Sequence, residues 1–311
     1  GHAWVRNNSE VKPEGQRPIP KSEVTIAEIL QSAGYVTGAF GKWGLGNPGS
    51  VGDPNNQGFD RFFGYNCQRH AHSYYPSYLW SDDKRIELNN NPAVPGHASL
   101  ADGADPADPA SYDIFKGQDY APDRINEQAL AFIRENKERP FFLYYPTVIP
   151  HVALHVPDEE LTPYLAKKWE DPPFTRSGGY GYTPHFTPRA AYASMITRMD
   201  RYVGRILNLL KELELEENTI VVFTSDNGPS RESRNWLDGT LDPYYGGTSG
   251  GLKGHKGSLY DGGIRMPGII HWPDRIAGGV VTAEPCVSMD IVPTVLDAAG
   301  LDRSQYELNG V

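Results

Sequence analysis

At 311 residues, 39% apolar and 11% aromatic, the chain can bury a substantial core as one large α/β domain or two smaller ones, which sets disorder aside as its default state. Its 29 basic and 39 acidic residues leave a net charge of −10, which argues against a nucleic-acid or membrane-surface binder. A few cations converging in one cleft could still hold an anion. Two cysteines, Cys67 and Cys286, make neither a disulfide framework nor zinc-ligand spacing, and no run of about 18 apolar residues is present to span a membrane.

The first residues, "GHAWVRNNSEVKPEGQ", are polar and lack an initial Met, which predicts a segment upstream of Gly1. "TIAEILQSAGY" predicts a helix with a capping box from Thr25 to Glu28 and a stop at Gly34. "YVTGAF" follows as a short strand that runs into "GKWGLG", where Lys42 lies between glycines. A lone lysine is ordinarily a solvated charge. The stretch 46–119, rich in Gly, Pro, Asn and aromatics and without a sustained period, reads as surface excursion. Within it, "CQRHAHSYYPSYLW" sets His70 and His72 among aromatics, a composition suited to stacking on a sugar or aryl ring and equally to packing on the core.

"PDRINEQALAFIRENKERP" predicts a helix that buries Ile125, Ala129, Leu130 and Ile133, with Pro140 at its exit. The strand "FFLYYP" comes next, then "TVIPHVALHVP", in which Pro150 and Pro157 stiffen a loop holding His151 and His155. Either histidine could contact an anion or give a proton to a leaving group, and the pair reads as well as surface histidines. A second irregular stretch spans 158–186. Thr187 as N-cap and Pro188 then open a long helix with the stripe Tyr192, Ile196, Met199, Val203, Ile206, Leu210 and Leu213.

"TIVVFTSDNGP" ends a strand on Asp226 and Asn227. The two are either an Asx-type turn or oxygen ligands for a hard cation such as Ca²⁺ or Mg²⁺, which needs more than two donors. "GGLKGHKGSLYDGGIRMP" brings Lys253, His255 and Lys256 into a Gly-rich loop suited to phosphate or sulfate, ahead of a strand in "IRMPGIIHWP" and a short helix in "SMDIVPTVLDAAG". Strands alternating with amphipathic helices predict an α/β fold with a mostly parallel central sheet covered on both faces, its site beyond the carboxyl ends of the strands.

Taken in order, "GYVTGAFGKWGLG", "FFLYYPTVIPHVALHVP", "VVFTSDNGP" and "LKGHKGSLYDGGIRMPGIIHWP" resemble the formylglycine-dependent sulfatases of the alkaline phosphatase-like superfamily, in one register from Gly1 to Val311. The resemblance implies a partial catalytic domain over 1–311 that hydrolyses sulfate esters, with a carbohydrate substrate suggested by the His- and aromatic-rich excursion. It implies Asp226 and Asn227 as ligands of Ca²⁺ in preference to Mg²⁺. Lys42 and Lys256 are implied to hold sulfate oxygens, and His151 to help protonate the departing alcohol oxygen. His2 and His72 are candidate substrate contacts. In the family a formylglycine hydrate attacks sulfur; its Cys/Ser-x-Pro/Ala-x-Arg source motif is absent here and is expected upstream, with the family's acidic pair.

Many relatives carry a histidine where Gly44 stands, and His2 is the candidate replacement. Relatives also imply a secreted or periplasmic location. The alternatives are a phosphoester or phosphonate hydrolase of the same superfamily and a non-catalytic binder of sulfated glycans. No nucleic-acid partner is expected, and the sequence is silent on oligomeric state.

Overall fold

The computed structural model describes residues 15–175, 181–230 and 247–306. In chain order its elements are α1 (Ile26–Ser32), β1 (Val36–Lys42), β2 (Arg61–Tyr65), β3 (Tyr78–Ser81), β4 (Lys84–Glu87), α2 (Ala121–Glu135), β5 (Phe141–Tyr144), α3 (Asp158–Leu165), α4 (Pro188–Glu212), β6 (Val221–Thr224), the single turn α5 (Asp261–Ile264), β7 (Gly268–His271) and α6 (Ile291–Ala298).

Five strands form one sheet in the order β4-β3-β2-β1-β5. β1 pairs in parallel with β2 and β5, while β3 and β4 run antiparallel. The α/β architecture expected from the sequence is present, in a sheet that is mixed, with its parallel part at β2-β1-β5. β6 and β7 form a separate antiparallel pair. Val222, Phe223, Ile269 and Ile270 on that pair are exposed.

Alternation along β1 feeds two layers. Phe40 joins Phe63, Tyr65 and the α2 residues Ile125, Ala129 and Phe132 on one face, and Ala39 joins Phe62 and Ala27 of α1 on the other. α2 buries Ile125, Ala129, Leu130 and Ile133 as its period predicts. α1 has the reciprocal capping box: Glu28 N–H donates to Thr25 Oγ1 at 3.1 Å and Thr25 N–H donates to the Glu28 carboxylate at 2.8 Å.

Three features depart from the sequence reading. The stretch 46–119, expected as surface excursion, supplies β2, β3 and β4 and buries Phe62, Phe63, Tyr65, Tyr74 and Leu79. Strands of four or five residues are too short to show a period. α4 begins at Pro188 as expected, but Thr187 makes no side-chain cap; Asp171 accepts from Arg189 N–H (2.8 Å) and Ala190 N–H (2.9 Å) instead. The predicted stripe of α4 packs on the core through Tyr192, Met199, Ile206, Leu210 and Leu213, but the buried positions Ala191, Met195, Arg198 and Tyr202 lie beside that stripe. Arg198 lies there because it bonds Asp123 of α2 and Glu160 of α3.

Among the described residues, no helix is long and apolar enough to cross a membrane.

Candidate functional site

Lys42 is the last residue of β1, and the backbone around it is set by close approaches. Its N–H donates to Pro146 O at 2.9 Å, which ties β1 to the exit of β5. Gly41 has φ +145°, and a Cβ there would stand 2.2 Å from Pro146 O, so only glycine fits between the two segments.

Beyond β5, Tyr74 anchors the loop that carries His151. Its buried hydroxyl lies 2.8 Å from Val148 O and 2.5 Å from His151 O. The His151 ring is oriented by Nδ1 against Val152 O (2.5 Å). A carbonyl only accepts, so Nδ1 carries hydrogen, and Nε2 is the acceptor for the Lys256 ammonium at 3.1 Å.

Lys256 reaches this point because its loop is clamped onto the turn after β6. Lys256 N–H donates to Pro229 O at 2.9 Å and Gly228 N–H donates to Gly263 O at 3.0 Å. A Cβ on Gly228 would fall 1.9 Å from Gly262 O. Asp226 and Asn227, just before this contact, are therefore fixed relative to Lys256.

Electrostatics ties the remaining residues together. Burial pushes the Lys42 ammonium below the usual lysine range, with Asp226 opposing that shift and Lys256 adding to it. Burial raises the Tyr144 hydroxyl at the end of β5, and Asp226 raises it further. Lys42, His151, Lys256 and Asp226 thus share one neighbourhood at the carboxyl ends of β1, β5 and β6.

His72 completes the cluster. Its ring lies parallel to His151, with centroids 5.1 Å apart and planes within 2°. Burial, then the nearby His151, His97, Lys42 and Lys256, depress it to about 2. His2 lies outside the described residues.

Other sequence candidates are placed elsewhere. His155 is a core residue at 3% exposure, packed among Tyr74 and Tyr75, so the expected surface histidine pair is not found. Lys253 sits over the Tyr260 ring at 4.0 Å. His70 packs between Tyr65 and Tyr78.

Sequence reasoning missed His97 and Tyr182, which stack on each other at 4.7 Å beside His72. They lie in irregular segments, and neither stands in a motif that singles it out.

Asp226 and Asn227 offer one carboxylate and one amide oxygen. Asn227 Nδ2 donates to Gly228 O at 2.9 Å, which leaves the side-chain oxygen as a possible donor atom to a cation. The chemistry fits a hard divalent ion, but two residues do not fill its shell. Among the described residues, no group of three or more His, Cys, Asp or Glu could hold a metal. A formylglycine does not fit this chain, because neither Cys67 nor Cys286, nor any serine, begins the required motif.

Fold and cluster together define an α/β protein with Lys42, Lys256, His151 and Asp226 gathered at the carboxyl ends of β1, β5 and β6. The chain belongs to the sulfatase family: the Sulfatase family model matches residues 5–301. It is 29% identical to human (Homo sapiens) arylsulfatase A over 305 residues, covering 96% of this chain and 52% of that protein. It is 31% identical to mouse (Mus musculus) arylsulfatase G over 314 residues, covering 95% and 53%. The crystal structure of Ps i-CgsB superposes with a TM-score of 0.69 at 25% identity, covering 94% of this chain and 57% of that one. The chain spans about half the length of the curated relatives it matches.

Proposed function

We propose that this chain forms the sulfate-binding half of a sulfatase active centre that removes sulfate from a sulfated carbohydrate. The observation that carries the reading is the convergence of Lys256 on His151 at 3.1 Å, with Lys42 and Asp226 in electrostatic reach. Cleavage of a sulfate ester concentrates negative charge on the sulfate oxygens and on the leaving oxygen, and preorganised cations stabilise that charge best where water is scarce.

In this reading Lys42 and Lys256 hold sulfate oxygens. A partly desolvated ammonium gains more from an arriving anion than a fully hydrated one, so the buried setting of Lys42 favours this role. His151 presents Nε2, with its position fixed through Nδ1 and Val152 O. That nitrogen must first take up a proton from solvent before it can give one to the departing alcohol, while Lys256 keeps its charge on the sulfate. Asp226 and Asn227 would hold part of the coordination shell of a divalent cation, with Ca²⁺ as the proposed ion. When bound, the ion would neutralise sulfate charge. The family nucleophile, a formylglycine, is expected from outside the residues present here.

A carbohydrate substrate is supported by the aromatic wall of His72, His97 and Tyr182 beside His151. It is also supported by the similarity to Ps i-CgsB, which has been solved in complex with k-i-k-neocarrahexaose (TM-score 0.68, 25% identity).

The complete gene product, assayed on sulfate, phosphate and phosphonate monoesters, tests the proposal. Sulfate esters should be preferred, and Lys256→Ala should lower kcat/KM on them by about 10²- to 10³-fold. Preference for phosphate or phosphonate esters would refute it.

A further inference from the structure

We infer that His72 is a hydrogen-bond acceptor that reads a substrate hydroxyl beside the sulfate ester, with His97 as the positioning residue that fixes its tautomer. This rests on the sulfatase reading for the location of the ester. The donor–acceptor logic rests on hydrogen-bond geometry, supported by the cations around the ring.

The chain of bonds starts at a carbonyl. His97 Nδ1 lies 3.2 Å from Gly181 O, which can only accept, so Nδ1 carries the hydrogen. In a neutral imidazole the other nitrogen is then bare, and His97 Nε2 must accept. Its partner is His72 Nδ1 at 2.8 Å, which therefore donates. His72 is left with Nε2 as a lone-pair acceptor.

A second proton on His72 would turn its Nε2 into a donor, but burial and the neighbouring cations oppose it. Lys42 and Lys256 both act on His72, and the ring is largely shielded from water. The main chain around His72 is also held: Tyr65 hydroxyl donates to Ser73 O at 2.6 Å, and Ser73 N–H donates to His70 O at 3.2 Å.

The direction of the bond decides what His72 can bind. Sulfate oxygens are acceptors, so an acceptor nitrogen gains nothing from them and is not a third sulfate ligand. It calls for a donor. His72 lies one ring spacing from His151, the imidazole assigned to the leaving oxygen, so a hydroxyl on the carbon next to the ester-bearing carbon is a suitable donor. Sugars carry such hydroxyls and simple aryl sulfates do not. Tyr182, edge-on to His72 and His151 and stacked on His97, offers an apolar surface for the sugar ring. An acceptor that the bound substrate covers without offering a donor is costly, so the same nitrogen discriminates against substrates in which that hydroxyl is absent or blocked.

Two measurements on the complete gene product test this. Histidine-selective ¹⁵N NMR, with His72 assigned through His72→Phe, should show hydrogen on Nδ1 and a bare Nε2 at neutral pH. In His97→Phe the two tautomers of His72 should mix. Dissociation constants are then measured for methyl galactoside monosulfates whose hydroxyl next to the sulfate is either free or O-methylated. The free form should bind about 10- to 100-fold more tightly, and His97→Phe should bring that ratio towards one.

Hydrogen on His72 Nε2, or a ratio unaffected by His97→Phe, overturns the inference. Should the expected ratio be found in a protein that cleaves no sulfate ester, the acceptor assignment stands and the sulfatase reading falls.

Discussion

Buried imidazoles make the fold sensitive to acid one residue at a time. His155 is held at about 3 and His185 at about 4, each chiefly by burial. Unfolded histidine titrates near 6.5. Above that value both states are neutral and stability is flat. As pH falls from about 6.5 towards 3, the unfolded chain binds a proton that native His155 refuses, so stability declines by about 1.4 kcal/mol per pH unit for that residue. His155→Gln retains an acceptor for Tyr74 N–H, now 3.3 Å from Nδ1, and should flatten the decline between pH 6 and 4 in urea titrations. Equal acid sensitivity in variant and parent would assign the effect to other groups. The sequence paired His151 with His155 four residues on and could not separate their fates. One faces the cluster and the other faces Tyr74 and Tyr75, a difference made by the course of an irregular loop.

At the level of elements, two contacts determine how the pieces meet. The turn after β6 is pressed against the loop of Lys256 at Gly228, where a methyl group would stand 1.9 Å from Gly262 O. Backbone on both sides cannot yield easily, so Gly228→Ala should cost about 1–3 kcal/mol. It should also separate Asp226 and Asn227 from Lys256, which metal titration would read as weakened binding. A variant with unchanged stability and metal affinity would show that the turn is free to move.

The second contact is Arg198 of α4, which bonds Asp123 of α2 and Glu160 of α3. Burial works against its charge, but its hydrogen bonds to Asp123 and Tyr202 outweigh burial and raise its pKa. Arg198→Met should destabilise by about 2–3 kcal/mol because it removes the buried cation shared by Asp123 and Glu160, of which Glu160 keeps Arg201. Arg201→Met, which removes an exposed arm on Glu160, should cost about 1 kcal/mol or less. Comparable losses in urea denaturation would contradict this ranking. Helix periods showed which residues of α2 would be buried. They placed Tyr192, Met199, Ile206, Leu210 and Leu213 of the α4 stripe against the core but missed Arg198, because a buried arginine looks polar until its two acidic partners, from distant parts of the chain, are known. Thr187 failed as a cap for a similar reason: Asp171, 16 positions earlier, arrives through tertiary structure.

For the molecule as a whole, what was legible was the order of the strand-end motifs. Lys42, His151, Asp226, Asn227 and Lys256 follow strands or glycines that hold the backbone, and the fold gathers Lys42, His151, Asp226 and Lys256 into one neighbourhood. Less legible was the wall that His72 shares with His97 and Tyr182, since residues 97 and 182 come from separate loops and meet only after folding. Net charge decides little at this scale: a chain at −10 still brings Lys42 and Lys256 into one neighbourhood, as the sequence reading allowed.

The central claim is that one anion is held jointly by residues far apart in the chain. A crystal structure of the complete gene product grown with sulfate and Ca²⁺ measures it directly. The account predicts a sulfate whose oxygens lie about 3 Å from Lys42 Nζ and Lys256 Nζ, beside the His151 ring, with the cation on Asp226 and Asn227. Sulfate bound apart from these residues, or a cation that leaves Asp226 and Asn227 uncoordinated, would contradict it.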